Sequence, residues 1–87
     1  MTTRSPLRRP EFDALVRRLA GQVENAEIII DGACWWIARN PESGIHLSEY
    51  DIWYATLVIP PVILMYTVYP RYVHMLTMIA SDDTLTL

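Results

Sequence analysis

Two side chains suited to moving a proton and gripping an anion stand three positions apart in this 87-residue chain: Arg71 and His74, within Tyr69-Pro70-Arg71-Tyr72-Val73-His74. An imidazole titrates near neutral pH, so His74 is a candidate general acid or base. A guanidinium held by a turn can take a phosphate or carboxylate through paired hydrogen bonds, which makes Arg71 its companion. Each also has a plainer role, as a strand histidine satisfied by hydrogen bonding and a solvated turn arginine. His46 has no partner at a recognisable spacing. Cys34 is the single cysteine, and no His or Cys cluster stands at metal-ligand spacing. Neither a nucleophile triad nor a phosphate-cradling glycine loop is present, and Ser43-Gly44 is turn chemistry. No metal or cofactor is expected.

Other residues are suited to binding rather than to chemistry. Trp35 and Trp36 are adjacent, and on a helix their side chains point about 100° apart. At most one can lie fully on a core stripe, which leaves the other as an anchor for a partner. All seven basic residues are arginines, and five of them fall in the first eighteen positions: Arg4, Arg8, Arg9, Arg17 and Arg18. With a net charge of −3, the chain is an acidic molecule with one local basic patch. Arg17 and Arg18 thus either touch an acidic partner or a phosphate, or simply solvate a helix face. Bulk attraction to nucleic acid is not indicated.

Hydrophobic periodicity supplies the elements that must position these groups. Pro10-Glu11-Phe12-Asp13 reads as a helix start, and Phe12, Leu15, Val16, Leu19, Ala20 and Val23 form one apolar stripe. The spacing predicts a helix from about Pro10 to Val23. Glu24-Asn25 breaks it, with Asn25 as a candidate N-cap. A second stripe, Ala26, Ile29, Ile30, Ala33 and Ile37, predicts a helix from about Asn25 to Arg39, stopped by Asn40-Pro41. Beyond the turn Pro41-Glu42-Ser43-Gly44, β-branched and aromatic residues dominate. Pro60-Pro61 and the Tyr69-Pro70-Arg71-Tyr72 turn divide the run into three strands: about Tyr50 to Ile59, Val62 to Tyr69 and Tyr72 to Ala80. In the middle strand Val62, Leu64, Tyr66 and Val68 share one face, and Ile63, Met65, Thr67 and Tyr69 the other. His74 shares its face with Tyr72 and Leu76. Pro6 and Pro10 leave open whether Thr3 to Arg9 adds a strand, and Ser81 to Leu87 either frays or joins a sheet edge.

The expected fold is therefore α+β: one domain over residues 1–87, with an N-terminal helical hairpin packed on a three- to four-stranded antiparallel sheet. Apolar residues make up 52% of the chain, enough to offset ordering entropy in one small core but too many to cover completely. An oligomer or an obligate partner is expected. Ile52 to Pro70 is nineteen residues without a charge, close to a membrane span in length. The central Pro-Pro pair, the β-formers and the lack of a flanking basic cluster favour strands buried under helices instead. The N-terminus lacks the apolar core of a signal peptide, so the reducing cytoplasm is the expected compartment.

The closing Ala38-Arg39-Asn40-Pro41-Glu42-Ser43-Gly44, then Pro61-Val62-Ile63-Leu64-Met65-Tyr66-Thr67-Val68, then Tyr72-Val73-His74-Met75-Leu76 together resemble the RelE/ParE toxins of type II toxin–antitoxin modules. In that family a helix pair ends in an Asn-Pro-type turn, and an apolar strand running into a tyrosine, here Tyr66, precedes a short turn and a closing strand. The resemblance implies a growth-inhibiting toxin neutralised by a cognate antitoxin in a hetero-oligomer, and Tyr66 joins Trp35, Trp36, Arg17 and Arg18 as a residue expected to bind that partner. RelE-like members cut messenger RNA in the ribosome, and ParE-like members poison DNA gyrase by protein contact. Under the first activity Arg71 and His74 would serve the phosphate and the proton transfer. The sequence departs from that pattern, since Asp51 to Tyr69 holds no Arg or Lys and no basic residue follows Arg71. A catalytically inert homologue that only binds a partner is the third alternative.

Overall fold

The computed structural model describes residues 4–80, so the expectation for Ser81 to Leu87 lies outside the described residues. Regular structure begins with a strand, β1 (Ser5–Arg8), before either helix. The Ser5 N–H donates to the Arg71 carbonyl (3.3 Å) and the Arg9 N–H to the Met75 carbonyl (3.2 Å). Odd-numbered positions therefore hold the ladder, and Pro6 stands at the alternate phase, where its missing N–H would face away from the sheet. That phase is why proline is tolerated here.

Helix α1 (Pro10–Ala20) starts at Pro10, whose fixed φ suits the first helical position, with Glu11 and Asp13 in the first turn and Arg17 and Arg18 in the last. It ends three residues short of Val23, whose N–H still bonds back to Leu19 (2.8 Å) in a closing turn. Helix α2 (Ala26–Arg39) follows immediately. Asn25 does not cap it through its side chain; it reverses the chain in the left-handed region (φ 62), which asparagine tolerates. Arg8 ties β1 to both helices, with its guanidinium 2.6 Å from Asp13, 3.3 Å from Asp31 and over the Phe12 ring.

A 3-10 turn, Pro41–Ser43, leads into β2 (Ile45–Leu47), β3 (Ile52–Leu57), β4 (Val62–Val68) and β5 (Tyr72–Ala80). The five strands are ordered β1-β5-β4-β3-β2, with β1 parallel to β5 and the other pairs antiparallel. The expectation of three to four antiparallel strands thus needs correction: the sheet is five-stranded and mixed, because the helix pair carries the chain from β1 to β2 at the opposite edge, and β3 and β4 then run back across the sheet until β5 lies parallel beside β1. The peptide bond Ile59-Pro60 is cis.

Both helices cover one face of the sheet. Phe12 and Val16 from α1 and Ile30, Cys34 and Ile37 from α2 meet Val62, Leu64 and Tyr66 of β4 and Val73 and Met75 of β5, all buried. The face assigned to Val62, Leu64 and Tyr66 is the covered one. In β5 the alternation slips, because Tyr66 pairs with Met75 while Met65 pairs with Thr77, leaving Leu76 as a bulge. Met75 and Met78 can both point inward, and Leu76 does not share a regular face with Tyr72 and His74. Among the described residues no helix is long and apolar enough to cross a membrane. The charge-free run Ile52 to Pro70 is β3, β4 and their connection.

Candidate functional site

The face of the sheet away from the helices is bare, and the register fixes what it presents. Leu7 lies beside His74, His74 beside Thr67, Met65 between Tyr54 and Thr77, and Ile63 between Thr56 and Ile79. Ile45 of β2 continues the row beyond Tyr54. None of these side chains carries a formal charge apart from a protonated His74, on a molecule whose net charge is −3. Leu7, Ile45 and Ile79 are exposed. At one end an aromatic row forms, with Tyr69 and Tyr72 stacked (centroids 4.8 Å, 22°) and Tyr72 edge-on to His74 (6.4 Å, 66°).

His74 therefore sits on the bare face, half-buried, and Arg71 sits exposed in the adjoining turn. The Arg4 Nε donates to the Tyr69 carbonyl (2.8 Å), which brings a second guanidinium to the same end. Among the described residues neither Arg71 nor His74 makes an ion pair, and His74 has no hydrogen-bond partner. The Thr67 hydroxyl oxygen, on the position opposite His74, is buried without a partner. Among the described residues no Arg or Lys stands elsewhere on the face to hold a scissile phosphate.

Tyr66 is placed differently from its expected role in partner binding. It is fully buried, and its hydroxyl donates to the Pro41 carbonyl (2.8 Å). Burial pushes its phenol pKa up, against a smaller opposite effect of the Gly44 N–H. An added Cβ at Gly44 would strike the Tyr66 hydroxyl and stand 2.6 Å from the Tyr54 carbonyl, so this position has room only for glycine. Tyr66 thus locks the Asn40-Pro41 turn onto the sheet and has no surface to offer a partner.

Trp35 and Trp36 are both exposed, at 43% and 51%, so neither lies on the core. The buried stripe of α2 runs Ala26, Ile30, Cys34, Ile37 and Ala38, and the two indoles fall on its outer side. Trp36 borders a shallow pocket of about 260 Å3 with Ser43, Gly44, Ile45, Tyr54, Ala55 and Thr56. Arg17 and Arg18 are exposed on α1. Arg18 rims a groove of about 370 Å3 lined by Leu15, Leu19, Val62 and Met78 among others. Cys34 is sealed in the core, and burial pushes its thiol pKa up to about 12, which keeps it protonated and unreactive.

One arrangement escaped the sequence reading. His46 Nε2 lies 3.1 Å from an Asp51 carboxylate oxygen and the ring stacks on Trp53 (4.4 Å, 14°), which in turn stacks over Tyr66 (6.5 Å). The pairing depends on the β2–β3 hairpin and on Asp51 entering the left-handed region (φ 53). The five-residue separation across turn residues is its only sequence signal. Among the described residues no group of three or more His, Cys, Asp or Glu could hold a metal ion. Comparison with family models, curated proteins and solved structures finds no match to this chain.

Proposed function

We propose that this chain is a toxin of the RelE/ParE type, held inactive by a cognate antitoxin in a hetero-oligomer and acting on its target by protein contact. The observation that carries this reading is the uncharged apolar and aromatic sheet face, which spans all five strands and is wider than the fold requires. Two anchors of the resemblance also prove to be one contact, since Tyr66 bonds to Pro41 of the Asn40-Pro41 turn. A surface without cations is suited to a protein and poorly suited to a polyphosphate backbone. DNA gyrase is the target class that the resemblance supplies for this mode.

A specific observation favours a second reading. Tyr69, Tyr72 and His74 form a row of rings on β5 and its turn, with Arg4 and Arg71 at the same end. Rings flanked by guanidiniums are a platform for single-stranded RNA, and in a ribosome-dependent endoribonuclease His74 would serve proton transfer. The double substitution Arg71→Ala, His74→Ala separates the two. Under the protein-contact reading, cells expressing the variant arrest as fully as those expressing the parent. Loss of arrest from a folded, well-expressed variant would transfer the case to the ribonuclease.

A further inference from the structure

Helix α2 carries an apolar surface separate from the bare sheet face. Opposite its buried stripe lie Ile28, Gly32, Trp35 and Arg39, at spacings of four, three and four. That alternation is the seam of a supercoiled helix pair. Ile28 is 73% exposed, the Trp35 indole is exposed, and Trp36 stands on the shoulder of the same seam. Among the described residues Glu27, at the start of the helix, and Arg39, at its end, make no ion pair.

Gly32 is the position that the fold does not explain. Glycine inside a helix is unfavourable relative to alanine, because it loses more backbone freedom on ordering. Yet a Cβ built at Gly32 meets nothing within 4 Å, and its φ is not one of the positive values that call for glycine. Neither packing within the chain nor backbone conformation asks for it. Its missing side chain leaves a notch in the outer face of α2, one turn from Trp35.

We infer that α2 pairs antiparallel with α2 of a second copy of this chain, each Trp35 seated in the notch over the other's Gly32. The two-fold that sets Gly32 opposite Trp35 also sets Ile28 opposite Arg39, so the whole seam is complementary to itself. The Arg39 stem then covers Ile28, and its guanidinium reaches the helix start that carries Glu27. Antiparallel pairing is required, because parallel helices would bring Glu27 to Glu27 and Arg39 to Arg39. Residues 81–87 of the same chain are the poorer cover: they hold no aromatic ring, and one extended segment cannot supply both the ring that enters at Gly32 and the notch that receives Trp35. The inference uses a different face from the proposed toxin surface and does not require that reading.

The test is sedimentation equilibrium of the full chain from micromolar to millimolar concentration. The expected result is a monomer–dimer equilibrium with a midpoint in the micromolar range, since a helix face about 21 Å long is smaller than a standard interface. Trp35→Ala weakens the dimer about tenfold, as loss of a ring from the centre of an interface does. Gly32→Gln fills the notch with a better helix former, so it too loses the dimer, yet at concentrations where both are monomeric it melts no lower than the parent. Arg39→Glu weakens the dimer about fivefold, and adding Glu27→Arg restores it, whereas a parallel pair would be indifferent. A chain monomeric throughout, or a dimer indifferent to Gly32→Gln and Trp35→Ala, would overturn the inference. A dimer lost with Leu7→Ser and Ile79→Thr would overturn it by moving the contact to the sheet face. Nuclear Overhauser contacts in a monomer joining Trp35 to Leu85 or Leu87 would overturn it in favour of a cover from the same chain.

Discussion

On β4, Val62, Leu64 and Tyr66 point into the helices and are sealed, whereas Ile63, Met65 and Thr67 point the other way and keep part of their surface in solvent. Two faces of one strand are thus about equally apolar, yet only one is used by the fold. The inner face is fixed by volume and by one buried hydrogen bond, from Tyr66 to Pro41. The outer face has no such commitment, and its apolarity makes sense as a surface kept for another protein. Substitutions on the inner face should therefore cost stability, and those on the outer face should cost association.

The largest effect is expected from Leu64→Ala, which empties a fully buried position and should destabilise the chain by about 3 kcal/mol in urea titration. Gly44→Ala comes next, at about 2 to 3 kcal/mol, because the new Cβ meets the Tyr66 hydroxyl and the Tyr54 backbone. Tyr66→Phe keeps the ring and removes the bond to Pro41, and about 1 to 2 kcal/mol should follow. An intact Gly44→Ala variant would show that the turn is not locked as described.

Alkali gives a gentler probe of the inner face. The Cys34 thiol pKa rises from its ordinary 9.0 to about 12 in the fold, and the Tyr66 phenol is raised above its ordinary 10.0. Both groups are held neutral when folded, and the unfolded chain releases its protons first as pH increases. Their contribution is complete below pH 9 and is lost progressively as pH rises from 9 towards 12. Urea midpoints should be flat from these groups between neutrality and pH 9 and fall beyond it, less steeply in Cys34→Ala. The smallest stability change belongs to the bare face: Leu7→Ser with Ile79→Thr should shift stability by no more than about 0.5 kcal/mol while weakening partner association. A large loss of stability there would erase the distinction between the faces.

Much of this division was legible in the sequence where the pattern was long. Both helices, the strand from Val62, the strand from Tyr72 and the sidedness of Val62, Leu64 and Tyr66 follow from apolar spacing. Ser5–Arg8 was not legible as a strand, because a four-residue edge element with a proline and an ion-paired arginine has no alternation to read. Ile45–Leu47 was hidden for the same reason, being three residues long and wholly exposed. The outward position of both tryptophans follows from small Cys34 and Ala38, which sit on the buried stripe of α2 in place of a bulky ring. As for the candidate site, Arg71, His74 and the exposed indole of Trp36 could be proposed from residue type. The pairing of His46 with Asp51 depends on a short hairpin with no alternation to read, and the burial of Tyr66 depends on Pro41 and Gly44, which lie far from it in sequence, so local pattern carries neither.

The proposed function is tested most directly by inducing this chain in growing bacteria and reading growth, DNA supercoiling and messenger-RNA integrity from the same culture. The account predicts arrest with disturbed supercoiling and intact messages. Rapid message cleavage, or unhindered growth with soluble folded protein present, would contradict it.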